Sequence, residues 1–211
     1  MKKQVLLTAA VMSVTSVMAQ KINYPQAPKD NTVDTYFGVQ VADPYRPLEN
    51  DSSKATAEWV KKENEVTQQY LARIPFRSKL FQRMKELANY EKLSAPSYNK
   101  AIGKWLFYKN NGLQNQSVLY VMDHLGDEKN ARILLDPNKL SEDGTVALKS
   151  ISFSHNGKYA AYAISRSGSD WEEFYVMNPQ TGELLDDHIM WAKFSGAAWQ
   201  GDGFYYSAYD A

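Results

Sequence analysis

The sequence contains no cysteine and carries no net formal charge, its 24 basic residues being balanced by 24 acidic ones. The first absence excludes disulfides, thiolate metal sites and cysteine nucleophiles, so stability has to come from burial. The second removes the long-range field that draws basic proteins to nucleic acid or to anionic membranes, and neither is expected as a partner. Histidine is scarce. His124, His155 and His188 are spaced too widely for the i, i+4 pairing of a helical zinc site, and no metal or cofactor is expected. Also missing are a Gly-x-Ser-x-Gly turn for a serine nucleophile and a glycine-rich loop leading into a helix for phosphate.

Long apolar runs are few, and the first lies at the amino terminus. Lys2 and Lys3 precede an apolar stretch from Val5 to Val14, and Val17-Met18-Ala19 sets modest or small residues before Gln20. This pattern predicts a signal peptide over residues 1–19 and an exported mature protein that has no membrane segment after cleavage. Thr8, Ser13, Thr15 and Ser16 interrupt the stretch, which weighs against the alternative of a retained anchor.

What is abundant is aromatic: 14 Tyr, 8 Phe and 5 Trp suit strands that pack between sheets. Residues 20–92 read as an arm followed by two helices. Prolines at 25, 28, 44 and 47 predict an extended arm. Asp51, Ser52 or Ser53 can cap a helix with Ala55, Trp59, Val66 and Tyr70 near one face. Pro75 ends it, and a second helix is expected to carry Leu80, Phe81, Met84, Leu87 and Ala88 inward.

From residue 93 to 211 the period becomes two, with short strands separated by turns such as Asn111-Gly112, Asn156-Gly157 and Ser167-Gly168. The segment from Gly103, GKWLFYKNNGLQNQSVLYVMD, is similar to the one from Gly157, GKYAAYAISRSGSDWEEFYVMN, 54 residues on, and another Gly-aromatic start follows at Gly203. Units of this length with four short strands are those of β-propeller blades. SAPSYNK, LKSISFS and GAAWQ supply innermost strands, giving about two and a half blades of a mainly β fold. Because open blades leave bare edges, the expectation is an amino-terminal fragment of a longer protein.

Candidate chemistry is thin. Ser165-Arg-Ser167-Gly168-Ser169 reads as a hairpin turn. Asp186-Asp187 precede His188 and can hydrogen-bond its ring, yet no nucleophile stands beside them. Glu172-Glu173 are adjacent on a strand and point to opposite faces, so they do not form a cooperating acid and base.

DPYRPLEN (43–50), IPFRSKLFQRMKEL, GLQNQSVLYV, LLDPNKLSEDGTVAL, SGSDW and KFSGAAW occur in the order that prolyl oligopeptidases show them, and the resemblance runs from Tyr24 to Tyr209. Pro47 departs from the tryptophan usual in that family. The resemblance implies a seven-bladed propeller that gates access to an α/β-hydrolase domain, with the arm and helices packing on that domain. It implies a serine endopeptidase, here periplasmic or secreted and monomeric, that cuts short peptides after proline. Related oligopeptidases cutting after basic residues, or dipeptidyl peptidases, are the alternatives, as is a non-catalytic propeller that binds partners. The family's Ser, Asp and His lie outside this sequence, so no catalytic residue is expected in the chain, which is predicted inactive alone. Within it, the resemblance points to Phe194 as a substrate contact, against ordinary blade core, and to Asp170 and Trp171 near the face that meets the hydrolase domain.

Overall fold

The structure, a computed structural model, describes residues 22–210. The expected signal peptide lies outside the described residues. Two compact units divide between Leu80 and Phe81.

In the first unit the proline-flanked arm is not simply extended. Strands β1 (Val33–Tyr36) and β2 (Val39–Ala42) pair antiparallel around Phe37-Gly38, both at positive φ. The sequence reading missed this hairpin; Pro28 and Pro44 bracket the two strands and interrupt neither, so the arm can hold it. The DPYRPLEN word closes the hairpin's open end. The Asp43 N–H donates to the Thr32 carbonyl at 2.9 Å, and the Arg46 guanidinium bonds Asp43 at 2.7 Å and also Asp34 on β1.

Helix α1 (Lys54–Ala72) starts where expected, with the Ser53 hydroxyl accepting the Thr56 N–H at 3.1 Å. Thr56 is its one buried residue. Helix α2 (Arg77–Ala88) follows Pro75. The expectation that α2 turns its apolar residues inward is corrected: Leu80, Phe81, Met84 and Leu87 are 53–67% exposed. An amphipathic helix buries its stripe only against a partner, and no described element covers this one.

The blades lie in the second unit. In the first blade, β3 (Lys92–Leu93) and β4 (Ser97–Asn99) both pair with β5 (Lys104–Asn110), followed by β6 (Val118–Met122) and β7 (Arg132–Leu135). The second is β8 (Ala147–Phe153), β9 (Ala160–Ser165), β10 (Glu172–Met177) and β11 (Leu184–Ala192), each antiparallel to the next. A third sheet has β12 (Ala198–Gln200) and β13 (Gly203–Tyr205). All three predicted innermost strands are found, in β4, β8 and β12.

Strand β9 shows why these sheets pack. Every residue in it is buried, because both of its faces are covered. Ala160, Tyr162 and Ile164 join Leu106, Leu119 and Val121 of the first blade in one core. Ala163 and Phe174 form a second core towards the third sheet, where Phe204 lies 5.9 Å from Phe174. Polar bonds cross the same boundary: the Trp199 indole donates to the Ser152 hydroxyl at 3.1 Å, which donates to the Ala197 carbonyl at 3.2 Å. In the β8–β9 turn Gly157 is required twice. Its φ is +70°, and a Cβ there would stand 2.2 Å from the Ala101 carbonyl oxygen of the first blade.

Candidate functional site

Antiparallel register places Ser165, Glu172 and Ala192 in one row at one end of the second blade. Two connections leave from that row: the β9–β10 turn, which carries Asp170 and Trp171, and the segment after β11, which carries Lys193 and Phe194. The turn closes as the sequence predicted. Ser167 and Gly168 both have positive φ, and the Ser169 N–H donates to the Arg166 carbonyl at 2.9 Å, a hairpin geometry.

The three residues singled out in the sequence come together here. Asp170 lies 3.7 Å from the Lys193 ammonium, which stands 5.3 Å from the centre of the Trp171 ring and 5.4 Å from that of Phe194. Trp171 meets Trp191 and Tyr209 edge to face, each at 5.5 Å. Phe194 is 80% exposed and belongs to neither described core cluster. Sequence reasoning missed Lys193, Trp191 and Tyr209.

The backbone of this segment is unusual. Trp191 and Phe194 have φ of +60° and +52°, a region that bulky side chains rarely enter and that costs on the order of 1–3 kcal/mol per residue. Flanking bonds hold it there. The Tyr209 N–H donates to the Trp191 carbonyl at 2.9 Å, and the Ser207 N–H donates to the Ser195 hydroxyl at 2.8 Å.

A second cluster joins Arg166, just past the end of β9, to residues of β10 and β11. Glu173 accepts from the Arg166 guanidinium at 2.7 Å and from the Tyr175 hydroxyl at 2.8 Å, and its carboxylate is 3.0 Å from the His188 Nε2. The Arg166 bonds hold the Glu173 carboxyl down at about 2, with Tyr175 and His188 assisting against the opposing effect of burial. Burial, then the bond to Glu173, pushes the Tyr175 hydroxyl up. His188 also stacks on Tyr175 at 4.5 Å. Its carboxylate partner is therefore Glu173 across the sheet, and not the neighbouring Asp186-Asp187 of the sequence reading. Glu172 is buried and Glu173 faces the opposite side, as their adjacency on a strand requires. His124 and His155 are exposed beside turns. Among the described residues, no group of three His, Asp or Glu side chains is placed to hold a metal ion.

This arrangement offers an exposed aromatic ledge with one cation and one carboxylate beside it. Comparison with known proteins gives it a setting. Residues 25–211 match the family model described as prolyl oligopeptidase, N-terminal beta-propeller domain. The chain is 46% identical over 209 residues to a prolyl endopeptidase of Elizabethkingia meningoseptica, covering 97% of this chain and 29% of that protein. It is 36% identical to prolyl oligopeptidase A of Amanita bisporigera, over 88% of this chain and 28% of that one. Among solved structures, one from a study of two prolyl endopeptidases and their inter-domain dynamics superposes with a TM-score of 0.71 at 33% identity, over 88% of this chain and 27% of that one. Prolyl oligopeptidase B of Galerina marginata, bound to a 35-residue hydrolysis and macrocyclization substrate, gives 0.67 at 34% identity, over 90% of this chain and 29% of that one. The chain thus spans about 29% of the length of the curated prolyl endopeptidases it matches. A family match over nearly all described residues, on a fold of packed antiparallel blades, settles kinship: the chain belongs to the prolyl oligopeptidase family, of which it carries N-terminal propeller sequence.

Proposed function

We propose that this chain is the amino-terminal part of an exported serine endopeptidase that hydrolyses short peptides on the carboxyl side of proline. The observation that carries the reading is the 46% identity to a prolyl endopeptidase over almost the whole chain. In this reading the chemistry belongs to a hydrolase domain further along the protein. There a serine attacks the peptide carbonyl, a histidine takes and returns the proton, an aspartate orients the histidine, and hydrogen-bond donors stabilise the oxyanion. Residues 20–92 pack on that domain, and residues 93–211 contribute blades to a propeller that restricts entry to short peptides. The exposed apolar stripe of α2 supports the first assignment, since such a stripe needs a partner.

The role of the present residues is to meet the peptide and the second domain. Phe194 presents an aromatic face to a peptide side chain, and Asp170 and Trp171 stand at the face turned towards the hydrolase domain. An exposed, backbone-strained phenylalanine supports a binding role, because strain of this kind persists where the surroundings impose it. The mature enzyme works as a monomer in the periplasm or outside the cell; the exported location is supported by the amino-terminal lysines and apolar stretch without a lipid-attachment cysteine. The test is hydrolysis of a chromogenic Gly-Pro substrate. The full-length protein is expected to cleave it and the 211-residue chain to be inert; cleavage by the short chain, or none by the long one, would refute the proposal.

A further inference from the structure

We propose that Lys193 is a positioning residue for the bound peptide: its ammonium fixes the exposed Phe194 ring and so determines how tightly a peptide that reaches this ring is held. The inference rests on the reading of Phe194 as a substrate contact.

The main chain around Phe194 is pinned on both sides, through the Trp191 carbonyl and the Ser195 hydroxyl, but its ring is 80% exposed. Exposed aromatic side chains exchange rotamers freely unless something holds them, and ordering the ring at the moment of binding reduces affinity. Lys193 supplies a hold. Its side chain is only 28% exposed, and its Nζ lies 5.4 Å from the centre of the Phe194 ring while it also lies 5.3 Å from that of Trp171 and 3.7 Å from Asp170. An ammonium at this range is attracted to the face of each ring. The cation is thus anchored to the β9–β10 turn by Trp171 and Asp170, and Phe194 is set relative to that anchor. Trp171 is in turn wedged between Trp191 and Tyr209, so the anchor is itself packed.

The experiment compares Lys193→Met, Lys193→Arg and Phe194→Ala in the full-length protein, using a long proline-containing peptide and a minimal Gly-Pro chromogenic substrate. Lys193→Met should raise KM for the long peptide about two- to fivefold, the equivalent of one exposed cation–ring contact, with kcat and the minimal substrate unaffected. Lys193→Arg should restore KM, since a guanidinium also stacks on aromatic faces. If Phe194→Ala raises KM for the long peptide while Lys193→Met leaves it unaltered, positioning by Lys193 is refuted and the Phe194 reading survives. If Phe194→Ala itself changes nothing, the Phe194 reading fails and the inference falls with it. A loss of kcat on both substrates that arginine does not rescue would mark Lys193 as merely structural and overturn the proposal.

Discussion

Helix α2 and strand β9 each carry five apolar residues, and these meet opposite fates. In α2 the large apolar residues are more than half exposed, whereas no residue of β9 exceeds 4%. α2 also carries five charged residues and β9 none, but what separates their apolar residues is coverage. The strand lies between two sheets, and its faces are matched to different neighbours: Tyr162 and Ile164 reach the first blade, while the small Ala161 and Ala163 leave room for Phe174 on the other side. The helix has an equally legible stripe and no described surface to bury it. Burial pattern is therefore a statement about partners as much as about sequence, and the exposed stripe is the sharpest pointer in the molecule to a surface elsewhere.

The largest effect is expected where coverage is complete. Phe174→Ala removes a ring that is 1% exposed and lies between the second blade and the third sheet, and should cost about 3–5 kcal/mol, read as a lowered denaturation midpoint of the full-length protein. A loss below about 1 kcal/mol would mean that the two sheets do not share a core. Next is Gly157→Ala. It forces a side chain into φ of +70° and against the Ala101 carbonyl, and should cost about 2 kcal/mol on the same measurement.

The pattern of burial was readable in the blades because alternation, turns and the repeat all agree. YAAYAIS reads as a strand from its apolar run, and its double coverage follows from its place in the middle of a blade repeat. The β1–β2 hairpin was obscured because its turn is Phe37-Gly38, and phenylalanine at positive φ is not a turn signal. In the candidate site, Phe194, Asp170 and Trp171 were singled out by family resemblance. Lys193 was invisible because its meeting with Trp171 joins residues 22 apart through blade register, which no local pattern encodes. The same holds for His188. Its neighbours in sequence are acidic, yet strand register delivers it to Glu173.

Smaller effects sharpen the contrast between covered and uncovered groups. Glu173 is a partly covered carboxylate whose folded pKa of about 2 lies below the ordinary value of 4.5. Its contribution is therefore fully present above about pH 4.5 and is lost as the pH falls towards 2. Glu173→Gln should remove about 1–2 kcal/mol at pH 7 and flatten the acid limb of the melting curve; an unaltered acid limb would show that the Arg166 pairing is not maintained in solution. Least affected in the 211-residue chain should be the α2 stripe. Leu87→Ala is expected to alter the stability of the 211-residue chain by less than about 0.5 kcal/mol, but to cost the full-length protein about 2 kcal/mol or more, because there the helix has its partner. Equal effects in both would remove the argument that α2 packs on a further domain.

The central claim is that these residues belong to a longer peptidase, and the coding DNA beyond codon 211 tests it most directly. The account predicts an open frame that runs through further blade repeats to a Gly-x-Ser-x-Gly word followed by an aspartate and a histidine. A stop codon directly after Ala211 would contradict it.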